Sequence, residues 1–188
     1  MMDKMRNEAL RYLGYRKEEV DDVIQNLISE CFEELGQLAE PRHVVKRVPL
    51  EIVGDGHLKI NQEDIYSYHL CRNLKGCHEA ILFCATLGIQ VDRQIQRYSV
   101  TDITRAVVLQ ACAAAYLESY CDEIQQGMQE ITRPRFSPGY GDFDLMYQEH
   151  LLEWLDAHKQ IGLTKTEGFM LIPTKSVTAI IGIQRSTL

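Results

Sequence analysis

Residues 101–131, TDITRAVVLQACAAAYLESYCDEIQQGMQEI, carry apolar residues at steps of three and four residues. This spacing predicts one long α-helix, because it places the apolar side chains on a single face. The small residues at positions 111–115 favour close packing of this helix against another element. The repeat consists of Ile103, Val107, Ala111, Ala114, Leu117, Cys121, Ile124 and Met128.

A continuous apolar run, EAILFCATLG at residues 79–88, precedes the long helix. Its length and apolar character predict a central, buried strand. Residues 43–61 have β-branched residues on both sides of a Gly-Asp-Gly sequence, which predicts two strands joined by a turn. Residues 62–74, between these strands and the apolar run, have a helical pattern.

Amphipathic helices are predicted near the N-terminus and in the C-terminal third of the chain. Their apolar residues recur at helical spacing, and a glycine marks the end of two of them. Two strands are predicted after the last helix. The predicted helices are residues 6–14, 17–38 and 145–162, and the predicted strands are residues 168–173 and 175–183.

Helices and strands follow one another without a regular βαβ alternation, which favours an α+β fold. We expect a mainly antiparallel, twisted sheet packed with the long central helix. Residues 1–40 are expected to form an N-terminal helical arm, and residues 41–188 are expected to form the α+β domain.

The composition argues against several classes of function. The 188 residues carry a formal net charge of −7, whereas binding to nucleic acids or to anionic membranes needs a basic surface. No apolar run approaches the roughly 20 residues that span a bilayer, and the N-terminus lacks the apolar segment of a signal peptide. We therefore expect a cytoplasmic protein with no nucleic-acid or membrane partner. The six cysteines lack the C-x2-C spacing of zinc modules, so we expect thiols and no metal site.

Residues 133–143, RPRFSPGYGDF, contain two prolines and two glycines, which exclude a regular helix or strand. The guanidinium group of Arg135 offers paired donors to a carboxylate or phosphate. The ring of Tyr140 can stack on a purine, and Gly139 and Gly141 let a ligand approach the backbone. Nucleotides and S-adenosylmethionine fit this combination, and a purely structural corner is the alternative.

Two motifs, read in order, resemble the activation domain of vitamin B12-dependent methionine synthase. The first is an arginine, three residues and Gly-Tyr, which here are Arg135, FSP, Gly139 and Tyr140. The second follows a helix and leads from Lys-Thr-Glu to a proline and Ser-Val. Its residues here are Lys165, Thr166, Glu167, Pro173, Ser176 and Val177.

The resemblance implies a component of cobalamin-dependent methionine synthase activity, a methyltransferase activity of methionine biosynthesis. In that family, oxidised cobalamin receives an electron from a flavodoxin-like or ferredoxin-like donor and a methyl group from S-adenosylmethionine. The domain positions the methyl donor and needs no acid, base or nucleophile of its own. This sequence lacks a cobalamin-binding motif, so the cobalamin is expected on a partner protein. That partner would be a truncated cobalamin-dependent methionine synthase or another corrinoid protein.

The resemblance also implies a set of binding residues. Arg135 is expected to hold the methionyl carboxylate or a nearby polar group, and the turn after it is expected to line the ligand pocket. Ordinary hydrogen bonding in a strand is the alternative role for Ser176. The expected S-adenosylmethionine-binding residues are Arg135, Ser137, Pro138, Gly139, Tyr140, Glu167 and Ser176, with no catalytic or metal-binding residue.

The sequence departs from the family pattern in two places. The family has a short segment with Cys-Pro after Gly-Tyr, where this chain has GDFD at residues 141–144. The long helix offers Glu118, but Ala114 stands one turn earlier, and the family uses acidic residues on this helix. Two other functions therefore stay open: a non-catalytic docking or regulatory protein for another corrinoid protein, and a small-molecule sensor on the same fold.

Overall fold

The structure, a computed structural model, describes residues 2–15 and 20–184. The chain forms two compact units that are interleaved in sequence. The first unit comprises Met1–Arg42, Thr86–Glu123 and Pro173–Lys175, and the second comprises His43–Ala85, Ile124–Ile172 and Ser176–Leu188. The division expected at residue 40 stays a prediction, and the first unit contains a later stretch of the chain as well.

Helices and strands alternate irregularly along the described residues. The helices are α1 Met2–Tyr12, α2 Asp22–Leu38, α3 Tyr68–Asn73, α4 Ile89–Thr101, α5 Ile103–Gln126, α6 Tyr147–Trp154 and α7 Ala157–Ile161. The strands are β1 Arg42–Gly54, β2 His57–Ile60, β3 Glu63–Tyr66, β4 Cys77–Thr86, β5 Thr164–Lys165, β6 Leu171–Ile172 and β7 Ser176–Gln184. None of the described helices is long and apolar enough to cross a membrane.

The N-terminal helices confirm the prediction from apolar spacing. The carboxylate of Asp21 accepts a hydrogen bond from the backbone N–H of Ile24 at 2.8 Å, which caps the start of α2. Residues 17–19 of the predicted helix lie outside the described residues. The buried face of α2 carries Ile28, Cys31, Phe32 and Leu35.

The long helix is present over Ile103–Gln126, so the predicted bounds of residues 101–131 are too wide and Met128 lies beyond its end. The predicted apolar stripe is also wrong at its first two positions. Ile103 is 64% exposed and Val107 is 52% exposed. The buried residues of α5 are mostly small and spread over a wider face: Ala106, Val108, Leu109, Ala111, Cys112, Ala113, Ala115, Leu117 and Cys121. The helix α4 was missed, because its sequence IQVDRQIQRYSVT is largely polar and buries only Val91.

The second unit contains a five-stranded sheet in the order β3-β2-β1-β4-β7. The pairs β1–β2 and β2–β3 are antiparallel, with Leu50 opposite Ile60 and Leu58 opposite Ile65. The apolar strand β4 is buried from Ala80 onward, as predicted. The mainly antiparallel α+β fold expected from the sequence is confirmed.

Two predicted helices differ from the structure. Residues 63–66 form the edge strand β3, so the helix expected over residues 62–74 is confirmed only from Tyr68 onward. The helix expected over residues 145–162 is divided into α6 and α7 at Asp156, whose φ of +46° is left-handed. It ends at Gly162, as predicted.

The last two predicted strands belong to different sheets. Strand β6 pairs with β5 in a separate two-stranded sheet, whereas β7 forms one edge of the five-stranded sheet. None of the six cysteines forms a disulfide, and all six are buried. Strand β7 is mostly buried, and it lies beside residues 132–136, which include Arg135.

Candidate functional site

The segment from Thr132 to Phe136 lies along β7 and extends the sheet as an irregular strand. The N–H of Arg133 donates to the carbonyl of Gly182 at 2.8 Å. Phe136 and Ile180 exchange two backbone hydrogen bonds at 3.0 and 2.9 Å. Pro134 lacks an N–H, so pairing here is interrupted rather than continuous. The proline-rich segment is thus fixed to the sheet by isolated bridges, and it forms no regular strand, as its prolines and glycines predict.

A compact turn follows this segment. The N–H of Tyr140 donates to the carbonyl of Ser137 at 3.2 Å, and the N–H of Gly139 donates to the carbonyl of Phe143 at 2.7 Å. Gly139 has a φ of +92° and Gly141 a φ of +59°, both of which favour glycine. Pro138 is buried, whereas the ring of Tyr140 is 67% exposed. The turn therefore holds an aromatic ring at the surface on an ordered backbone.

The guanidinium group of Arg135 is oriented by Gln125, near the end of α5. Its Nη1 donates to Gln125 Oε1 at 3.0 Å. The Nε2 of Gln125 donates to Thr132 Oγ1 at 2.9 Å and to the carbonyl of Arg133 at 2.8 Å. One amide thus fixes both the side chain of Arg135 and the backbone before it. Sequence reasoning missed Gln125, since a glutamine at the end of a helix has no distinctive spacing.

Asp142 joins the turn to the start of α3. Its Oδ1 accepts from Ser67 Oγ at 2.7 Å and from the N–H of His69 at 3.0 Å, and its Oδ2 accepts from the N–H of Tyr68 at 2.7 Å. The hydroxyl of Ser67, followed by the two backbone N–H groups, holds the pKa of Asp142 well below its usual value. The GDFD sequence departs from the family pattern, and nothing in its spacing indicates this role of Asp142.

Ser176 is the first residue of β7. The segment 132–136 runs antiparallel to β7, and its last residue, Phe136, lies opposite Ile180. The side chain of Ser176 is half-buried. A contact between Ser176 and a ligand stays a prediction.

Glu167 lies in the connection between β5 and β6 and is exposed. This connection is linked to β7 through the buried side chain of Gln148. Gln148 Nε2 donates to the carbonyl of Phe169 at 2.5 Å, and Gln148 Oε1 accepts from Thr178 Oγ1 at 3.5 Å. The structure thus ties the second motif to β7 two residues beyond Ser176, and a role of Glu167 in binding stays a prediction.

Lys165 and Thr166, from the same motif, make contacts within the protein. Lys165 Nζ lies 3.2 Å from Glu149 Oε1 and 4.6 Å from the centre of the Phe169 ring. Thr166 Oγ1 accepts from the N–H of Met170 at 3.1 Å. These contacts stabilise the β5–β6 connection.

The arrangement suits the binding of a small ligand. Arg135 offers an oriented cation and Tyr140 offers an accessible aromatic face. Gly139 is exposed, whereas the backbone at Gly141 lies against the His69 ring. These groups belong to one unit and to one stretch of chain fixed against β7. They match a ligand with an anionic end and a flat aromatic end.

Comparison with solved structures finds a similar fold. The crystal structure of the MetH reactivation domain bound to AdoHcy is similar to this chain with a TM-score of 0.70. The similarity covers 100% of this chain and 77% of that chain, at 16% sequence identity. No family model matches the sequence, and no curated protein matches it. The structural likeness therefore shows the fold of this chain.

Proposed function

We propose that this chain binds S-adenosylmethionine at the turn of residues 137–141 and supports remethylation of cobalamin on a separate protein. The proposal rests on one pair of side chains. Arg135 lies on the segment that is hydrogen-bonded to β7, and Tyr140 lies on the ordered turn that follows it. The solved domain of similar fold holds AdoHcy, which is S-adenosylmethionine without its transferred methyl group. The pair of side chains offers the two contacts that such a ligand needs.

In this proposal each end of the ligand has its own partner. The guanidinium group of Arg135 pairs with the methionyl carboxylate, and the ring of Tyr140 stacks on the adenine. The turn of Ser137, Pro138 and Gly139 lines the middle of the ligand. Glu167 and Ser176 shape the remaining wall, where an acidic side chain favours a sulfonium cation.

The reaction needs positioning rather than acid–base chemistry. A sulfonium methyl group is electrophilic, and holding it in line with a nucleophile supplies the rate advantage. The nucleophile would be the cobalt of a corrinoid held by a truncated cobalamin-dependent methionine synthase or another corrinoid protein, after one-electron reduction by a flavodoxin-like or ferredoxin-like donor. The S–CH3 bond would break as the Co–CH3 bond forms, and the demethylated thioether would leave. The residues of this chain hold the methyl donor and leave its methyl group accessible.

Calorimetric titration with S-adenosylmethionine and with its demethylated form tests the binding step. We expect both to bind the purified protein, which should itself contain no cobalamin and make no methionine. A heat signal absent at millimolar ligand would contradict the proposal. Binding without any effect on a corrinoid partner would instead support the small-molecule sensor.

A further inference from the structure

The turn that contains Tyr140 is held at its far end by a second element, α3, which is distant in sequence. We propose that Asp142 is a positioning residue that fixes the turn of residues 139–141 against the start of α3 and so sets the place of the Tyr140 ring. This inference rests on the proposed function for its effect on ligand affinity. Its effect on the turn itself is independent of any ligand.

The contacts of Asp142 converge on three consecutive residues. Its carboxylate accepts hydrogen bonds from the hydroxyl of Ser67 and from the backbone N–H groups of Tyr68 and His69, at 2.7, 2.7 and 3.0 Å. The Oδ1 atom also lies 3.1 Å from His69 Nδ1. The hydroxyl of Ser67 accepts from the N–H of Leu70 at 3.0 Å and so connects the carboxylate to the first turn of α3.

The packing beside Asp142 leaves no room for a side chain at position 141. A Cβ atom on Gly141 would lie 2.6 Å from His69 Nδ1 and 2.9 Å from its Cγ. The His69 ring thus lies directly against the backbone between Tyr140 and Asp142. Two features therefore fix this turn against the start of α3: the charge-assisted hydrogen bonds of Asp142 and the tight contact between Gly141 and His69.

Tyr140 has few contacts of its own that could fix its position. Its ring is 67% exposed, and its centroid lies 6.4 Å from that of Phe136 in a tilted arrangement. The backbone on either side is what places the ring. Loss of the Asp142 carboxylate should therefore leave the core intact and let the turn sample other conformations.

Hydrogen exchange read by mass spectrometry tests the turn directly, without a ligand. We expect peptides covering residues 137–143 to exchange faster in Asp142→Ala, with a smaller effect in Asp142→Asn, which keeps one acceptor oxygen. The control is Asp144→Asn, because Asp144 is in the same loop and accepts a hydrogen bond from the N–H of Met146, two residues away, at 2.8 Å. Equal exchange of these peptides in Asp142→Ala and wild type would overturn the proposal.

Calorimetry with S-adenosylmethionine then separates positioning from general stability. Below the melting temperature of each variant, we expect Asp142→Ala to weaken binding by about tenfold or more, and Asp142→Asn to recover part of it. In a Tyr140→Ala background the same change should cost much less, because the two residues act through one contact. Fully additive losses would overturn the role in positioning Tyr140. Absence of binding by wild type would contradict the proposed function, and the exchange result would still decide whether Asp142 fixes the turn.

Discussion

The amide oxygen of Gln125 accepts a hydrogen bond from Arg135 Nη1 at 3.0 Å. The amide nitrogen of the same residue holds the carbonyl of Arg133 at 2.8 Å. The guanidinium group is therefore oriented by the protein before a ligand arrives, which lowers the conformational entropy lost on binding. A guanidinium group presents its donors in a rigid fork, a geometry that lysine lacks.

Arg135→Ala should weaken binding of S-adenosylmethionine. A hydrogen bond to a charged group contributes about 1.5–3 kcal/mol, which corresponds to a roughly ten- to hundredfold loss of affinity. Arg135→Lys should restore only part of it, because an ammonium group cannot replace the paired donors. Calorimetry on these proteins measures the effect, with Arg72→Ala as the control for loss of an exposed cation in the same unit. Unchanged affinity in Arg135→Ala would remove this residue from the site.

Tyr140→Phe should cost less affinity than Tyr140→Ala. The exposed ring offers a flat face that survives loss of the hydroxyl group, whereas truncation to alanine removes the contact area. Titration of both variants with S-adenosylmethionine gives the comparison. Equal losses in the two variants would indicate a hydrogen bond from the hydroxyl group instead of stacking.

The helices and strands that could be predicted from the sequence are those with a uniformly apolar run or with a glycine at their end. The apolar run of β4 is buried as a strand, and Gly162 ends a helix with a φ of +71°. Residues 63–66 were misassigned because β3 is an edge strand in which Ile65 alone is buried, so alternation gives little signal. The helix α4 was likewise missed, because most of its residues are polar and Val91 alone is buried.

The candidate site was only partly predictable for a different reason. Arg135, Gly139 and Tyr140 lie within a few residues of one another, so one short motif reveals them. Asp142 and Ser67 are 75 residues apart, and Gln125 acts from a helix end. Such pairs form only when the chain folds, and a single sequence carries no local sign of them.

Gly141→Ala should destabilise the protein more than Gly162→Ala. Both positions have a left-handed φ, of +59° and +71°, and a non-glycine residue there costs about 1–2 kcal/mol. Only at Gly141 would the added Cβ also collide with a side chain, that of His69, since nothing lies within 4 Å of it at Gly162. Urea unfolding of both variants measures the difference. In a His69→Ala background the excess cost at Gly141 should fall, and an excess that persists there would exclude the clash as its cause.

The stabilisation from Asp142 should disappear in acid. The hydrogen bonds from Ser67, His69 and Tyr68 lower the pKa of Asp142 from its usual value of 3.8 in the folded protein. Because the pKa of Asp142 is lower in the folded protein than in the unfolded chain, its carboxylate stabilises the fold at pH values above the unfolded pKa. This contribution is lost as the pH falls from the unfolded pKa toward the folded pKa. The difference in melting temperature between wild type and Asp142→Asn should therefore be largest near neutral pH and shrink below about pH 4.

Melting curves across this pH range, with Asp144→Asn as the control, test the assignment. The imidazole of His69 faces the carboxylate at 3.1 Å, so the same comparison is made in a His69→Ala background. There the difference should be smaller, because one partner of the carboxylate is missing, but it should keep the same direction with pH. A difference that grows on acidification would contradict a lowered pKa.

The remethylation assay should show that Arg135 acts by binding the methyl donor. A truncated cobalamin-dependent methionine synthase, mixed with a reductant and S-adenosylmethionine, is followed by the absorbance change as Co(II) cobalamin becomes methylcobalamin. This chain should speed the conversion, and the effect should saturate with added protein because the two proteins must dock.

In Arg135→Ala the S-adenosylmethionine concentration for half-maximal rate should rise by roughly ten- to hundredfold. The maximal rate should change little. Loss of a contact that is equally strong in the ground state and the transition state raises KM and leaves kcat unchanged. Arg72→Ala should behave as wild type. If the synthase recovers equally fast without this chain, reactivation is not its function, and the docking or regulatory role becomes the better account.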